Sequence, residues 1–141
     1  LLKGCENIQA FTEINKITKL HNVVFPQITD VPLLLKYYPN AIYILNYRNV
    51  KDWIKSVNNW GNMRQLFIDA EIPGLPKGVG SNDYDLEQWY LNHINNMRDI
   101  FKNRENYVEV DIDNIDLETL NKKCNLFSVT KFPHANKTCT L

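Results

Sequence analysis

The sequence predicts an α/β fold, a mostly parallel sheet flanked by helices. Three observations carry this expectation. Ala41–Tyr47 (Ala-Ile-Tyr-Ile-Leu-Asn-Tyr) is almost continuously apolar and rich in β-branched and aromatic residues, the pattern of a strand buried on both faces of a parallel sheet. A second strand-like run, Tyr107–Ile112, follows much later. Between the two lie stretches whose apolar residues recur at three- and four-residue intervals, so helices alternate with strands as in βαβ units.

Taken in order, Glu6–Leu20 places Ile8, Phe11, Ile14, Ile17 and Leu20 at helical spacing and predicts an amphipathic helix. Val23-Val24-Phe25 is a short strand-like run ended by Pro26. Asp30-Val31-Pro32 opens a helix, with proline near its first turn, and that helix stops near Tyr38, before Pro39. Asn49 is placed to cap the next helix, with Asp52 in its first turn. Val50, Trp53, Ile54, Val57 and Trp60 form its apolar face. Gly61–Asn82 is mostly loop, with a short helix expected over Met63–Ala70. Asp83–Asn103 predicts a long helix that turns Leu86, Trp89, Tyr90, Ile94, Met97 and Phe101 inward. Leu117–Cys124 predicts a last short helix, followed by an extended tail.

The chain has 141 residues, 44% of them hydrophobic and 23% charged. That is the composition of one soluble domain able to bury a core, and residues 1–141 are expected to form one partial domain. Sixteen Lys and Arg balance sixteen Asp and Glu. Binding to nucleic acid by counterion release needs a cationic surplus, so nucleic acid is not an expected partner. No apolar stretch is long enough to span a membrane, and no signal peptide is evident. The chain opens on Leu1-Leu2 within a helical pattern rather than on Met, so it is expected to be a fragment. Three scattered cysteines, Cys5, Cys124 and Cys139, suit free thiols in a reducing, cytoplasmic setting. The alternative is a Cys124–Cys139 disulfide in a secretory or Golgi protein, in keeping with the Asn136-Lys137-Thr138 sequon. Oligomeric state is open.

In parallel sheets, ligands bind beyond the carboxyl ends of the strands, here the residues that follow Tyr47 and Ile112. Arg48 ends the first strand, and Ser56 lies eight residues further on. Arg presents a planar fork suited to phosphate, Ser adds a hydroxyl, and the helix start adds backbone donors. Together they suit a phosphate monoester. The bland alternative pairs Arg48 with Asp52 and leaves Ser56 to solvent.

The run from Thr29-Asp30-Val31-Pro32 through Tyr43-Ile44-Leu45-Asn46-Tyr47-Arg48-Asn49-Val50-Lys51-Asp52-Trp53-Ile54-Lys55-Ser56 resembles the heart of the sulfotransferase family. That family has a P-loop, nucleotide-kinase-like α/β fold. It transfers a sulfuryl group from 3′-phosphoadenosine 5′-phosphosulfate (PAPS) to a hydroxyl or amine. The resemblance implies that Arg48 and Ser56 bind the donor's 3′-phosphate. It further implies that Asp30, in the Asp-x-Pro form of a segment that is His-Leu-Pro in cytosolic members, is the catalytic base. A carboxylate is a weaker base than an imidazole unless its site favours the neutral form, and Asp30 alternatively caps the helix that begins at Val31. Trp89-Tyr90-Leu91-Asn92-His93, the strand ending at Asp111 and Phe132-Pro133-His134-Ala135-Asn136 are similar to the same subgroup. His93 is expected in the core and His134 in a structural turn.

The family's 5′-phosphosulfate loop is not found. Gly74-Leu75-Pro76-Lys77-Gly78-Val79-Gly80-Ser81 is no Walker A loop, because no Lys separates Gly80 from Ser81 and no buried strand precedes it. It is expected to be a mobile loop over the acceptor site, or else a plain connector. The resemblance implies a PAPS-dependent transferase with a small-molecule or glycan acceptor and no metal. The alternative is a non-catalytic α/β remnant serving as a nucleotide-phosphate-binding or interaction module. A nucleotide kinase is disfavoured by the missing Walker A loop.

Overall fold

The computed structural model describes residues 10, 16–17, 23–124 and 130–131. Strand β1 (Lys16–Ile17) pairs antiparallel with β2 (Val23–Val24). Helices α1 (Pro26–Thr29) and α2 (Val31–Tyr37) lead to strand β3 (Tyr43–Tyr47). Helices α3 (Val50–Asn59), α4 (Met63–Asp69) and α5 (Asp83–Phe101) carry the chain to β4 (Tyr107–Asp111), and α6 (Leu117–Lys123) follows. Strands β3 and β4 are parallel, with Tyr43 opposite Tyr107 and Tyr47 opposite Asp111. Helices around a small parallel sheet are consistent with the α/β class.

Successive residues of a strand point to opposite faces, and each face of this sheet meets a different helix. Tyr43, Leu45, Tyr47, Tyr107 and Glu109 share one face by register. Helix α5 lies against it. Phe101 stacks on Tyr107 at 4.9 Å between ring centroids and sits 5.0 Å from Tyr43. One turn back, Arg98 lies over the Tyr47 ring and pairs with Glu109, its Nη2 donating to Oε2 at 2.7 Å. On the other face Val108 and Val110 are buried with Leu120 and Cys124 of the α6 segment.

This differs in part from the strand expected to be buried on both faces. Ile44 is 47% exposed and Asn46 is also exposed. Helix α6 covers β4 rather than β3, so the outer face of β3 has no layer over it among the described residues. The expected helix over Glu6–Leu20 is also corrected, since Lys16–Ile17 form a strand. Ile is a weak helix former and a good strand former, and pairing with Val23-Val24 outweighs the helical spacing.

Side chains cap three of the helices, Asn49 as expected. Asn49 accepts from the Lys51 N–H at 2.9 Å and starts α3. Asn82 accepts from the Asp85 N–H, and its own amide donates to the Asp85 carboxylate, so that the first turn of α5 is closed reciprocally. Asp116 caps α6 through the Thr119 N–H. All six residues expected on the inner face of α5 are buried. Leu86, Trp89, Tyr90 and Ile94 cluster with Ile54 and Val57 of α3, Met97 and Phe101 cluster with Val31 of α2, and an aromatic group joins α3 to α5: Trp53 stacks on Tyr90 at 4.6 Å and lies 5.9 Å from both Trp89 and Phe67. Trp60, expected on the apolar face of α3, is instead 61% exposed, because it lies beyond the helix end at Asn59.

The glycine- and proline-rich segment after α4 is anchored rather than loose. Ile72 and Leu75 exchange backbone hydrogen bonds, the Trp89 indole donates to the Pro73 carbonyl, and the Gly78 N–H donates to the Ile68 carbonyl. Gly80, with φ +108°, sits where an added Cβ would come within 3.1 Å of Leu86 Cδ2. A side chain there would be strained and crowded at once. These contacts tie the segment to α4 and α5. His93 is half-buried and stacked on Trp89, and burial lowers its pKa, as suits a core histidine. Cys124 is a free, buried thiol. Cys5, Cys139, the sequon and the Phe132–Asn136 segment lie outside the described residues. Among the described residues no helix is long and apolar enough to cross a membrane.

The Arg98–Glu109 pair fixes α5 to β4 and gives a test of the fold. Arg98 holds the Glu109 carboxyl below its ordinary value of 4.5, mainly by direct hydrogen bonding. A depressed carboxyl stabilises the fold fully above its unfolded pKa and stops doing so as pH falls through the folded one. The pair is partly exposed, so its contribution is screened. On acidification from about pH 5 to about pH 3, the urea midpoint of the natural chain should fall more than that of Glu109→Gln.

Candidate functional site

The carboxyl ends of β3 and β4 finish side by side, and the chain leaves each through a polar turn. The last rung is the Ile112 N–H donating to the Tyr47 carbonyl at 2.9 Å. Immediately beyond it stand Arg48, after β3, and Asp113, after β4. Arg48 Nη2 donates to Asp113 Oδ1 at 2.8 Å, and Nε donates to Oδ2 at 3.3 Å. This is the two-point geometry that a guanidinium offers to a carboxylate or phosphate. The pair is open to solvent, with side chains 28% and 36% exposed.

The backbone of Arg48 is held from a different direction. The Arg48 N–H donates to the Tyr90 hydroxyl at 2.9 Å, and that hydroxyl donates to the Arg48 carbonyl at 3.1 Å. One side-chain oxygen therefore satisfies both polar groups of the residue that turns β3 into α3. Burial, ahead of any charge effect, raises the Tyr90 pKa, so the hydroxyl keeps the proton it donates. Stacking on Trp53 sets the ring.

The turn after β4 is organised by Asp111. Its carboxylate accepts from the Asp113 N–H at 3.0 Å and from the Asn114 amide at 3.2 Å. These bonds, led by the Asp113 N–H, hold its pKa below the ordinary range. A shallow depression beside this turn is lined by Tyr47, Glu109, Asp111, Asn114, Asp116 and Thr119. Its acidic walls suit no phosphate, and it includes none of the three residues predicted from the sequence. Among the described residues no group of three or more His, Cys, Asp or Glu is placed to hold a metal ion.

The three predicted residues fall as follows. Arg48 stands at the expected strand end. The alternative partner Asp52 is not the one it takes; Asp113, across the sheet, is. Ser56 is half-buried at the edge of the α3 face formed by Trp53, Ile54 and Val57. No hydrogen bond joins it to Arg48: Arg48 precedes α3 and Ser56 lies in the second turn of that helix. Asp30 ends α1 and precedes α2, and its side chain makes no capping hydrogen bond to α2. It stands between Ile28, packed in the cluster with Tyr47 and Val50, and Val31, packed in the cluster with Tyr43 and Phe101. Its carboxylate is thus not committed to the cap.

Sequence reasoning did not single out Asp113 or the Tyr90 hydroxyl as parts of this site. Asp113 was within reach of the strand-end rule, which points to the residue after Ile112. The bridge from Tyr90 had no local signal, because it depends on where α5 crosses β3.

Residues 12–68 match the family described as the sulfotransferase domain. The stretch contains Asp30, Arg48 and Ser56. The likeness covers 57 of the 141 residues. No curated protein matches the chain significantly, and no solved structure does.

Removing the Tyr90 hydroxyl isolates its grip on Arg48. Tyr90→Phe keeps the stacked ring but leaves a backbone N–H and a carbonyl short of a partner. It should destabilise the chain by about 1–3 kcal/mol, read as a lower urea midpoint with an unchanged slope.

Proposed function

We propose that this chain carries the donor-anchoring part of a sulfotransferase, which moves a sulfuryl group from PAPS to a hydroxyl or amine of a small-molecule or glycan acceptor. The observation that carries this reading is the position of Arg48. Its guanidinium lies beyond the carboxyl end of a parallel strand, at the turn into α3, inside the stretch that matches the family. A nucleotide-kinase-like arrangement of the whole domain is part of the proposal.

The residues present fit a phosphate monoester. Arg48 offers a fork of donors on a backbone that Tyr90 already fixes. Ser56 offers a hydroxyl without a hydrogen-bond partner among the described residues, one turn beyond the exposed Asp52 on α3. In this reading Arg48 and Ser56 hold the donor's 3′-phosphate and so orient the rest of the donor. When bound, PAPS supplies the sulfuryl group to be transferred.

Asp30 takes the chemical role. Its carboxylate accepts the proton of the acceptor hydroxyl while that oxygen bonds to sulfur and the bond from sulfur to the donor's 5′-phosphate oxygen breaks, so that adenosine 3′,5′-bisphosphate leaves; this is general-base catalysis. An uncapped, half-buried carboxylate at the start of α2 suits this role better than one consumed by the helix end. The remaining contribution is positioning, as in phosphoryl transfer.

A non-catalytic reading also has one observation behind it. The Arg48–Asp113 pair is complete without any ligand, as it would be in a remnant that kept only the fold. Ligand binding separates the two. In calorimetric titration with adenosine 3′,5′-bisphosphate, the desulfated donor product, Arg48→Ala should weaken binding by about tenfold or more, or about 1.4 kcal/mol. Equal affinities would remove Arg48 from the site. In a sulfuryl-transfer assay on the protein with any preceding segment included, Asp30→Asn should lower kcat by about a hundredfold or more and leave adenosine 3′,5′-bisphosphate binding unchanged. A kcat within twofold of the natural value would sink the base assignment.

A further inference from the structure

We propose that Asp113 is a carboxylate stand-in for the donor's phosphate: it occupies the Arg48 guanidinium in the free protein and must release it when the donor binds. The inference rests on the donor-site reading above and deepens it, because it names the residue that sets how tightly that site holds its ligand.

Three features of the strand ends carry it. The first is geometry. Asp113 presents two oxygens to Nε and Nη2 of Arg48, and a phosphate presents an equivalent pair of oxygens to the same edge of the fork. Both anions cannot use that edge at once. The second is the strength of the contact. Both side chains are about a third exposed, and ion pairs this open to water are weak and readily exchanged. A phosphate monoester with two negative charges has the advantage over a single carboxylate.

The third is the division of labour around Arg48. Its backbone is held by Tyr90 and not by Asp113, so the guanidinium can turn from one anion to another without disturbing the end of β3. On the other side, Asp113 is anchored through its own N–H to Asp111. Its carboxylate can therefore leave Arg48 while the turn stays closed. Asp111 is not an equal competitor, because its oxygens are already taken by the Asp113 N–H and the Asn114 amide. Charge acts in the same direction. Asp111 ends β4, Asp113 follows it and Asp52 lies in the first turn of the helix after β3, so a phosphate reaching Arg48 also approaches carboxylates.

The competition makes a prediction opposite in sign to a supporting role. If Asp113 positioned Arg48 for the ligand, its loss would weaken binding; as a competitor, its loss strengthens it. Adenosine 3′,5′-bisphosphate would be titrated calorimetrically into the natural protein, Asp113→Ala, Asp113→Asn, Arg48→Ala and the Arg48→Ala/Asp113→Ala double variant. Asp113→Ala should bind about three- to fivefold tighter, Asp113→Asn should lie between it and the natural protein, and the gain should vanish when Arg48 is also absent. Tighter binding that persists without Arg48 would overturn the pairing and assign the effect to general charge. Unchanged or weaker binding by both Asp113 variants, with binding still dependent on Arg48, would overturn the stand-in and leave the donor site in place. Absence of binding by every variant would sink the donor site and the competition together. Thermal unfolding of each variant identifies any loss that comes from misfolding, and the Asn variant, which is nearly isosteric, stands in for an Ala variant that fails to fold.

Discussion

The inner face of α5 is the constraint on which the other contacts depend. Six side chains along that helix, from Leu86 to Phe101, must be buried, and the stripe is covered in full only when α3 and the segment after α4 meet its first part and α2 and the β3–β4 sheet meet its last. Burying one such side chain is worth about 1.5–3 kcal/mol, so this face outweighs any single polar contact described above. The helix is also where the polar contacts originate. Arg98 reaches over Tyr47 to Glu109, and Tyr90 reaches the backbone of Arg48. Burial of an apolar stripe thus delivers a hydroxyl to the strand-to-helix turn. The site is held by the same helix that holds the core.

Much of this was legible from the residues. The stripe on α5 follows a 3.6-residue period, and long periodic segments are the most readable part of any sequence. Asn49 caps its helix for a reason visible locally, since it is a side-chain acceptor placed just before free N–H groups. The parallel pairing of Ala41–Tyr47 with Tyr107–Ile112 followed from the helices between them. What was not legible depends on distance. Whether β3 is covered on both faces is decided by where α6 lands, and α6 lies far along the chain. Arg48 was offered Asp52 as a partner because local spacing sees only a turn or so ahead, whereas the guanidinium follows the strand end toward its neighbour in the sheet.

The glycine-rich segment shows a different limit of sequence reading. Glycine and proline mark irregular backbone, and irregular backbone is easily equated with motion. Here Gly80 is buried against Leu86, and its lack of a Cβ is what lets the loop lie that close. The Glu6–Leu20 expectation failed for a related reason. Ile17, spaced for a helix, also suits a strand, and the nearby Val23-Val24 supplied the pairing that spacing alone cannot reveal.

The join between Arg48 and Asp113 spans 65 positions of chain, and the whole β3–β4 pairing is as remote. As the protein is synthesised, β3 emerges well before its partner exists, with α3, α4 and α5 still to come. A parallel pairing of this kind pays its loop-closure entropy before any rung of the ladder forms. The intervening helices shorten that search, because once α3 and α5 have docked through Trp53 and Tyr90 the two strand ends are already neighbours. The same stacked pair that steadies the site in the finished protein is therefore well placed to act as an early nucleus, with the sheet closing late and the strand-end turns assembling last.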